Sequence, residues 1–261
     1  MTLERRHLGK RAYALVSPLF ESDGFLVVFT ERTGGVSSEP RFASLNLSFS
    51  SGDEPSAVTA NRERVTSALG TGPFAVGGQV HGSHLTAVGP KLAGSGYDGP
   101  DGVIPATDGL HTRSRGVALA VATADCVPVV LGSAREGRIA VVHAGWRGVA
   151  SGIVSAALSR FTQPGEVRAA IGPAAGGCCY EVGEEVALAV SAAVPKGAVV
   201  ERSGAGSLRL DLAASIARVL RDGGVRRIEQ AGLCTIHEHR RFFSHRRDGP
   251  CGRQFAIGMR L

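Results

Sequence analysis

Lysine is nearly absent from this 261-residue chain. Only Lys10, Lys91 and Lys196 stand beside 26 arginines, and the net charge is +6. The arginines are spread through an Ala- and Gly-rich composition, and no basic cluster is interleaved with aromatics as single-strand binding requires. Nucleic acid is therefore not an expected partner. Long hydrophobic runs are missing too. The most apolar stretch, 116–132, is broken by Asp125 and Pro128 and is too short to span a bilayer. The basic segment 1–11 leads into no extended apolar run, so neither a signal peptide nor a membrane partner is expected. Methionine is limited to Met1 and Met259, and tryptophan to Trp146. The five cysteines are odd in number and two are adjacent, which makes a poor disulfide framework. A reducing, cytoplasmic setting is the simpler expectation.

What is present is a succession of short apolar runs separated by glycine turns. Residues 25–30 read as a strand running into a turn at 31–37. Asp53 is placed as the N-cap of a helix that has Pro55 in its first turn and ends at Leu69 before Gly70. A strand over 73–80 ends at His81, and 89–116, rich in Gly, Asp and Pro, reads as loop. Strands are expected at 117–122, 128–131, 138–142, 166–171, 226–231 and 255–259. Helices are expected at 149–161, at 182–194, and from an Asp211 cap to Asp222, with a polar loop at 237–254. Hairpin and crossover signals together give one α/β (or α+β) domain with a mixed sheet over 1–261, in which 1–24 is an N-terminal extension.

Three segments carry the chemistry: Gly77-Gly78-Gln79-Val80-His81-Gly82, Thr123-Ala124-Asp125-Cys126-Val127-Pro128 and His143-Ala144-Gly145-Trp146-Arg147-Gly148. Each places a metal ligand or nucleophile at the end of an apolar run, where loops carry function. Two imidazoles and a thiol suit Zn²⁺ with a fourth position left open for water or substrate. A packed His or Cys beside a core is the commoner fate of any one of them. Asp125 either orients an imidazole or caps a turn. Arg32, Arg147, Arg246 and Arg253 lie near the same turns, where a guanidinium suits phosphate or carboxylate; Arg147, one turn from His143, is the strongest of these. Cys178-Cys179 with Cys251 is a weak second metal set, because it has no Cys-x-x-Cys and no paired His nearby.

Those three segments, together with Arg32-Thr33-Gly34-Gly35-Val36-Ser37, Leu45-Asn46-Leu47-Ser48 and Tyr180-Glu181-Val182-Gly183, closely resemble the laccase-domain family. That family is also called multicopper polyphenol oxidoreductase, peptidoglycan editing factor and, more recently, purine nucleoside phosphorylase. The resemblance runs from about residue 25 to the C-terminus, with a looser turn at 172–177. It implies a single α/β domain likened in fold to cysteine hydrolases, with zinc bound by His81, Cys126 and His143. It also implies phosphorolysis of adenosine, inosine, guanosine and methylthioadenosine, with adenosine deamination as a companion. Cys126, His143, Asp125 and Arg147 are then the expected catalytic groups. Arg32, Asn46, Gln79, Arg147 and Arg246 are the expected contacts to a purine nucleoside and phosphate, in a monomer or small homo-oligomer. Zinc is preferred to copper, since a blue-copper centre wants an axial Met and a multicopper cluster wants more imidazoles than eight histidines supply. The rivals are a cysteine hydrolase acting on a cell-wall precursor with Cys126 as nucleophile and His143 as base, a copper polyphenol oxidase, and a non-enzymatic nucleotide-binding protein.

Overall fold

Strands of alternating apolar side chains that are buried on both faces need two covering layers, and this chain supplies them by stacking two sheets between helices. The computed structural model describes residues 3–202 and 206–261. One six-stranded sheet runs, edge to edge, through Glu4–Gly9, Ala12–Val16, Phe25–Thr30, Gln254–Arg260, Ala118–Thr123 and Ala75–Val76. The other runs through Arg227–Gln230, Arg168–Ile171, Val127–Ser133, Arg138–Ala144, Gly109–Thr112 and Leu85–Ala87. Both are mixed: Ala75–Val76 pairs parallel to Ala118–Thr123, and Arg227–Gln230 parallel to Arg168–Ile171, among otherwise mostly antiparallel neighbours. A small third sheet joins Glu181–Val182, Leu208–Asp211 and Val199–Arg202.

The two-residue period sorts the side chains into layers. Val27, Phe29, Leu119 and Val121 from the first sheet meet Val130, Ile139, Val141 and Ala170 from the second, forming the central core. On the outer face of the second sheet, Val127, Val129, Leu131, Val142 and Ala169 pack against the helices Ile153–Leu158 and Leu212–Asp222. On the outer face of the first, Ala118, Ala120, Phe255 and Ile257 meet Val65 of the helix Pro55–Leu69. Each buried aliphatic or aromatic side chain contributes about 1.5–3 kcal/mol of transfer free energy.

The expected strands at 25–30, 117–122, 128–131, 138–142, 166–171, 226–231 and 255–259 all form, with ends displaced by a residue or two. Asp211 caps its helix, its carboxylate accepting from the Ala214 N–H at 2.8 Å. Asp53 does not cap the helix Pro55–Leu69: Glu54 holds that position, and the Asp53 carboxylate instead accepts from Ser37 Oγ (2.6 Å) and Asn46 Nδ2 (3.0 Å). The expected helix at 149–161 is two helices, Trp146–Ala150 and Ile153–Leu158, because Gly152 turns to φ 83° between them. The helix expected from Val182 begins at Glu184, since Val182 is taken into the small sheet. The segment expected as loop, 89–116, holds the strand Gly109–Thr112. The N-terminal extension forms the antiparallel hairpin Glu4–Gly9 and Ala12–Val16, which continues the first sheet beside Phe25–Thr30.

Candidate metal centre

Strand pairing assembles the centre. The chain leaves the first sheet after Thr123 and enters the second at Val127, so Cys126 lies at the crossing between them. Val127 pairs with Ala144 and Pro128 with His143, which brings Cys126 to the end of the strand that carries His143. Gly109 pairs with Val142, so Asp108 falls beside His143, whose N–H donates to the Asp108 carbonyl at 2.7 Å. The side chains then meet, with His143 Nδ1 2.8 Å from Asp108 Oδ1 and both residues buried. The same carboxylate accepts the N–H groups of Val80 (3.1 Å), His81 (2.9 Å) and Gly82 (2.8 Å). One acidic side chain thereby fixes one imidazole and the backbone turn that carries the other.

That turn is strained. His81 has φ 60°, a conformation that costs a non-glycine residue about 1–3 kcal/mol and persists only where its surroundings impose it. Three charge-assisted hydrogen bonds to Asp108 impose it here. As a result the donor atoms of His81, Cys126 and His143 all lie within 4.8 Å of one another, and the two imidazoles meet edge to face with centroids 4.8 Å apart.

The electrostatics suit a cation. Burial pushes the Cys126 thiol up, but the charge of His143 and hydrogen bonds from His143 and His81 outweigh it and bring it down to about 6. Burial pushes His143 down, yet the Cys126 charge and the bond to Asp108 raise it to about 9. Burial raises Asp108, but the bond from His143 and the N–H groups of Gly82 and Val80 leave it lowered and ionised. With Nδ1 of His143 tied to a carboxylate, Nε2 is the nitrogen left for a metal, an arrangement common to ligating histidines. Gly145 leaves room beside the donors: a Cβ there would stand 3.0 Å from His81 Cδ2 and 3.1 Å from Cys126 Sγ. A thiolate and two imidazoles in a site kept clear of side chains fit a bound metal.

The three donors stand in the wall of a cavity of about 720 Å³, within the range of small-molecule sites. Phe49, Arg62, Asp125, Tyr180, Arg246 and Arg253 also line it. The Arg246 guanidinium lies 5.3 Å over the Tyr180 ring. Arg62 is buried, donates to the carbonyls of Leu47, Gly96 and Tyr97, and is surrounded by aromatic rings including Phe49 and Phe255. Burial lowers it to about 10, which still leaves it charged at neutral pH. The Thr123 hydroxyl is buried in the same wall and makes no hydrogen bond within the described protein.

Several expected site residues make other contacts within the chain. Arg147 is exposed, is stacked 4.4 Å over Trp146 and does not line the cavity, because the helix starting at Trp146 turns it away. Arg32 spends its guanidinium on the carbonyls of Ala43, His239 and Pro40 and on the Phe243 ring, stapling two loops outside the cavity. Asn46 is fully buried, its amide engaged by Ser48, Ser51, Asp53 and the Arg253 N–H, so it positions Arg253 and does not line the cavity. Gln79 lines the cavity, but both ends of its amide pair with the Ala122 backbone (2.9 and 2.8 Å). Asp125, at φ 94°, orients no imidazole. It ties turns, accepting from Thr235 Oγ1 and from the Arg246 N–H, each at 2.6 Å, while facing the cavity. The residue that does orient an imidazole is Asp108. Its only sequence signal is an acidic residue immediately before the short apolar segment Gly109-Leu110.

A profile described as multi-copper polyphenol oxidoreductase laccase matches residues 26–260. The chain belongs to that family. Among its laccase-family relatives, the purine nucleoside phosphorylase of Corynebacterium glutamicum is 40% identical over 236 residues, covering 88% of this chain and 92% of that one. The purine nucleoside phosphorylase of Streptomyces coelicolor is 41% identical over 233 residues, covering 86% and 91%. The crystal structure of YlmD from Geobacillus stearothermophilus superposes with a TM-score of 0.92 at 32% identity, covering 99% of this chain and 98% of that one. Among the described residues one His/Cys group holds two imidazoles, and Met259 is a core side chain of the first sheet. No helix among the described residues is long and apolar enough to cross a membrane.

Proposed function

We propose that this laccase-family chain is a zinc-dependent purine nucleoside phosphorylase, acting on adenosine, inosine, guanosine and methylthioadenosine, with adenosine deamination as a second activity. The observation that carries the reading is the His81, Cys126 and His143 donor set, anchored by Asp108, in a cavity whose walls bear Arg62, Arg246 and Arg253. The names of the relatives point to the same substrate class. When bound, zinc supplies Lewis acidity beside the substrate.

The chain's own residues supply the rest. Arg246 offers a guanidinium fork to phosphate; Arg253, with one terminal nitrogen held by the Cys251 and Gly252 carbonyls, and Arg62, whose hydrogen bonds go only to carbonyl oxygens, add positive charge. The aromatic faces of Phe49 and Tyr180 suit a purine, and the Asp125 carboxylate suits a ribose hydroxyl. In phosphorolysis a phosphate oxygen bonds to ribose C1′ as the C–N bond to the base breaks. The base leaves with the bonding electrons and takes up a proton. Inosine incubated with the protein should therefore release hypoxanthine and ribose 1-phosphate only when phosphate is added. Base release at an unchanged rate without phosphate would overturn the reading.

One observation favours a second reading. Asp108, His143 and Cys126 follow one another in the order of a Cys-His-Asp hydrolase triad. That reading leaves His81 idle. A hydrolase would survive His81→Ala and chelation, and would be stopped by thiol alkylation.

A further inference from the structure

Away from the cavity, two loops bring a second set of soft donors together. Cys178 and Cys179 come from the turn after the strand Arg168–Ile171, and Cys234 and His237 from the turn after Arg227–Gln230. Their ligand atoms all lie within 4.8 Å of one another, with Cys178 Sγ 3.6 Å from His237 Nδ1. Ligands of a tetrahedral zinc, at about 2.0–2.3 Å from the ion, stand about 3.3–3.8 Å apart, so the donors of this set already lie close to that spacing. We propose that Cys178, Cys179, Cys234 and His237 bind a second zinc ion as a closed, structural Cys₃His site.

Both loops are held in place by their backbones. Thr235 N–H donates to the Ala174 carbonyl (2.9 Å) and Ala174 N–H to the Leu233 carbonyl (3.3 Å), a parallel bridge that locks one loop against the other. Cys179 and Tyr180 N–H groups both donate to the Gly176 carbonyl at 2.9 Å, and Glu238 N–H donates to the Cys234 carbonyl at 2.9 Å. Gly176 N–H donates to Cys234 Sγ at 3.3 Å, the kind of outer contact that steadies a metal-bound thiolate. A Cβ on Gly176 would stand 3.2 Å from Cys234 Cβ and 3.3 Å from Cys178 Sγ, so the glycine is what lets the sulfurs approach. Four protein donors leave no position for substrate, which makes the site structural. A disulfide among these cysteines would leave a thiol and the imidazole unused.

The placement gives the ion a task. Tyr180, which follows Cys179, lines the large cavity, and Thr235, which follows Cys234, hydrogen-bonds Asp125 beside Cys126. A zinc here staples the loops behind one wall of that cavity.

The test reads metal and not turnover, so its outcome is separate from that of the proposed activity. Full-length Cys126→Ser/His143→Ala protein, stripped of metal and titrated with Zn²⁺ against a chromophoric chelator, should still take up one equivalent. Adding His237→Ala or Cys178→Ser/Cys234→Ser should abolish that uptake, and Cys251→Ser should not. Because His237 is exposed, His237→Ala can also be read in the otherwise native chain, where zinc content should fall by one equivalent if the double variant does not fold. Co²⁺ in the second site should show charge-transfer absorption from several thiolates. Undiminished zinc in His237→Ala, or a Cys178–Cys234 or Cys179–Cys234 disulfide in the protein as isolated, overturns the proposal.

Discussion

Two groups of His and Cys side chains, on one chain and joined through Asp125 and Thr235, are built on opposite plans. His81, Cys126 and His143 offer three donors, lie in the wall of the large cavity, and are organised by one buried carboxylate that no loop could place without the ladder. Cys178, Cys179, Cys234 and His237 offer four, sit on half-exposed loops, and are organised mainly by backbone hydrogen bonds, with the Arg247 guanidinium on the Thr235 and Ile236 carbonyls. The first group spends strain, at His81, and its three donors would leave a fourth position open on a bound metal. The second uses ordinary turns and closes on itself. Open ligation with an imposed geometry suits chemistry, whereas closed ligation on loops suits bracing.

The sharpest way to break this contrast is at Asp108. Asp108→Ala leaves the buried His143 imidazole and three part-buried N–H donors without their acceptor, at a cost of about 3–5 kcal/mol, or roughly 10 °C in melting temperature. Metal should leave the first centre while the second keeps its equivalent. Equal loss from both, measured by zinc analysis alongside calorimetry, would mean that the two are not built independently. Next are the two glycines. Gly145→Ala should lower turnover by about tenfold or more by crowding His81 and Cys126. Gly176→Ala should weaken binding of the second zinc and touch turnover far less.

A smaller effect is expected in the wall between the groups. Arg246→Lys should raise the KM for phosphate severalfold, because an ammonium cannot reproduce the guanidinium fork, while Arg147→Lys should change kinetics by less than about twofold. The reverse ranking would place Arg147 at the substrate despite its exposure. The mildest test is chemical. In metal-free protein, Cys126 is a thiolate above about 6, so its alkylation rate should hold nearly constant from pH 8 down to about 6.5 and fall below that. Cys179, pushed up to about 12 by burial and its bond with Cys178, should react slowly throughout. An alkylation profile for Cys126 that tracks an ordinary thiol, near 8.5, would contradict the coupling to His143.

The contrast also explains what could be read from sequence. Strands whose apolar residues are continuous or alternate, such as Phe25–Thr30 and Val127–Ser133, announce themselves because their burial is local in pattern. Cys126 and His143 stand out because they lie at the ends of such runs, whereas the strand expected over 73–80 forms only at Ala75–Val76 and His81 follows it in a turn. Asp108 does not stand out, since its role exists only through the pairing of Gly109 with Val142. Gly109–Thr112 itself was hidden by the glycines, prolines and aspartates around it. The arginines mislead for the complementary reason. A guanidinium near a glycine turn looks the same whether it faces a cavity, as Arg246 does, or staples carbonyls, as Arg32 does. The second cluster needed Cys234 and His237 brought to Cys178 and Cys179 by the Ala174–Cys234 bridge, and the buried Cys251 took no part.

The central claim is that the group organised by Asp108, and not the other, carries the chemistry. Phosphate-dependent release of hypoxanthine from inosine, measured after metal stripping and stoichiometric return of zinc to the native chain, His81→Ala and His237→Ala, tests it most directly. Turnover should return in the native chain and in large part in His237→Ala, and should stay at least about 100-fold down in His81→Ala. Full turnover in His81→Ala, or in native protein with no zinc returned, would contradict the account.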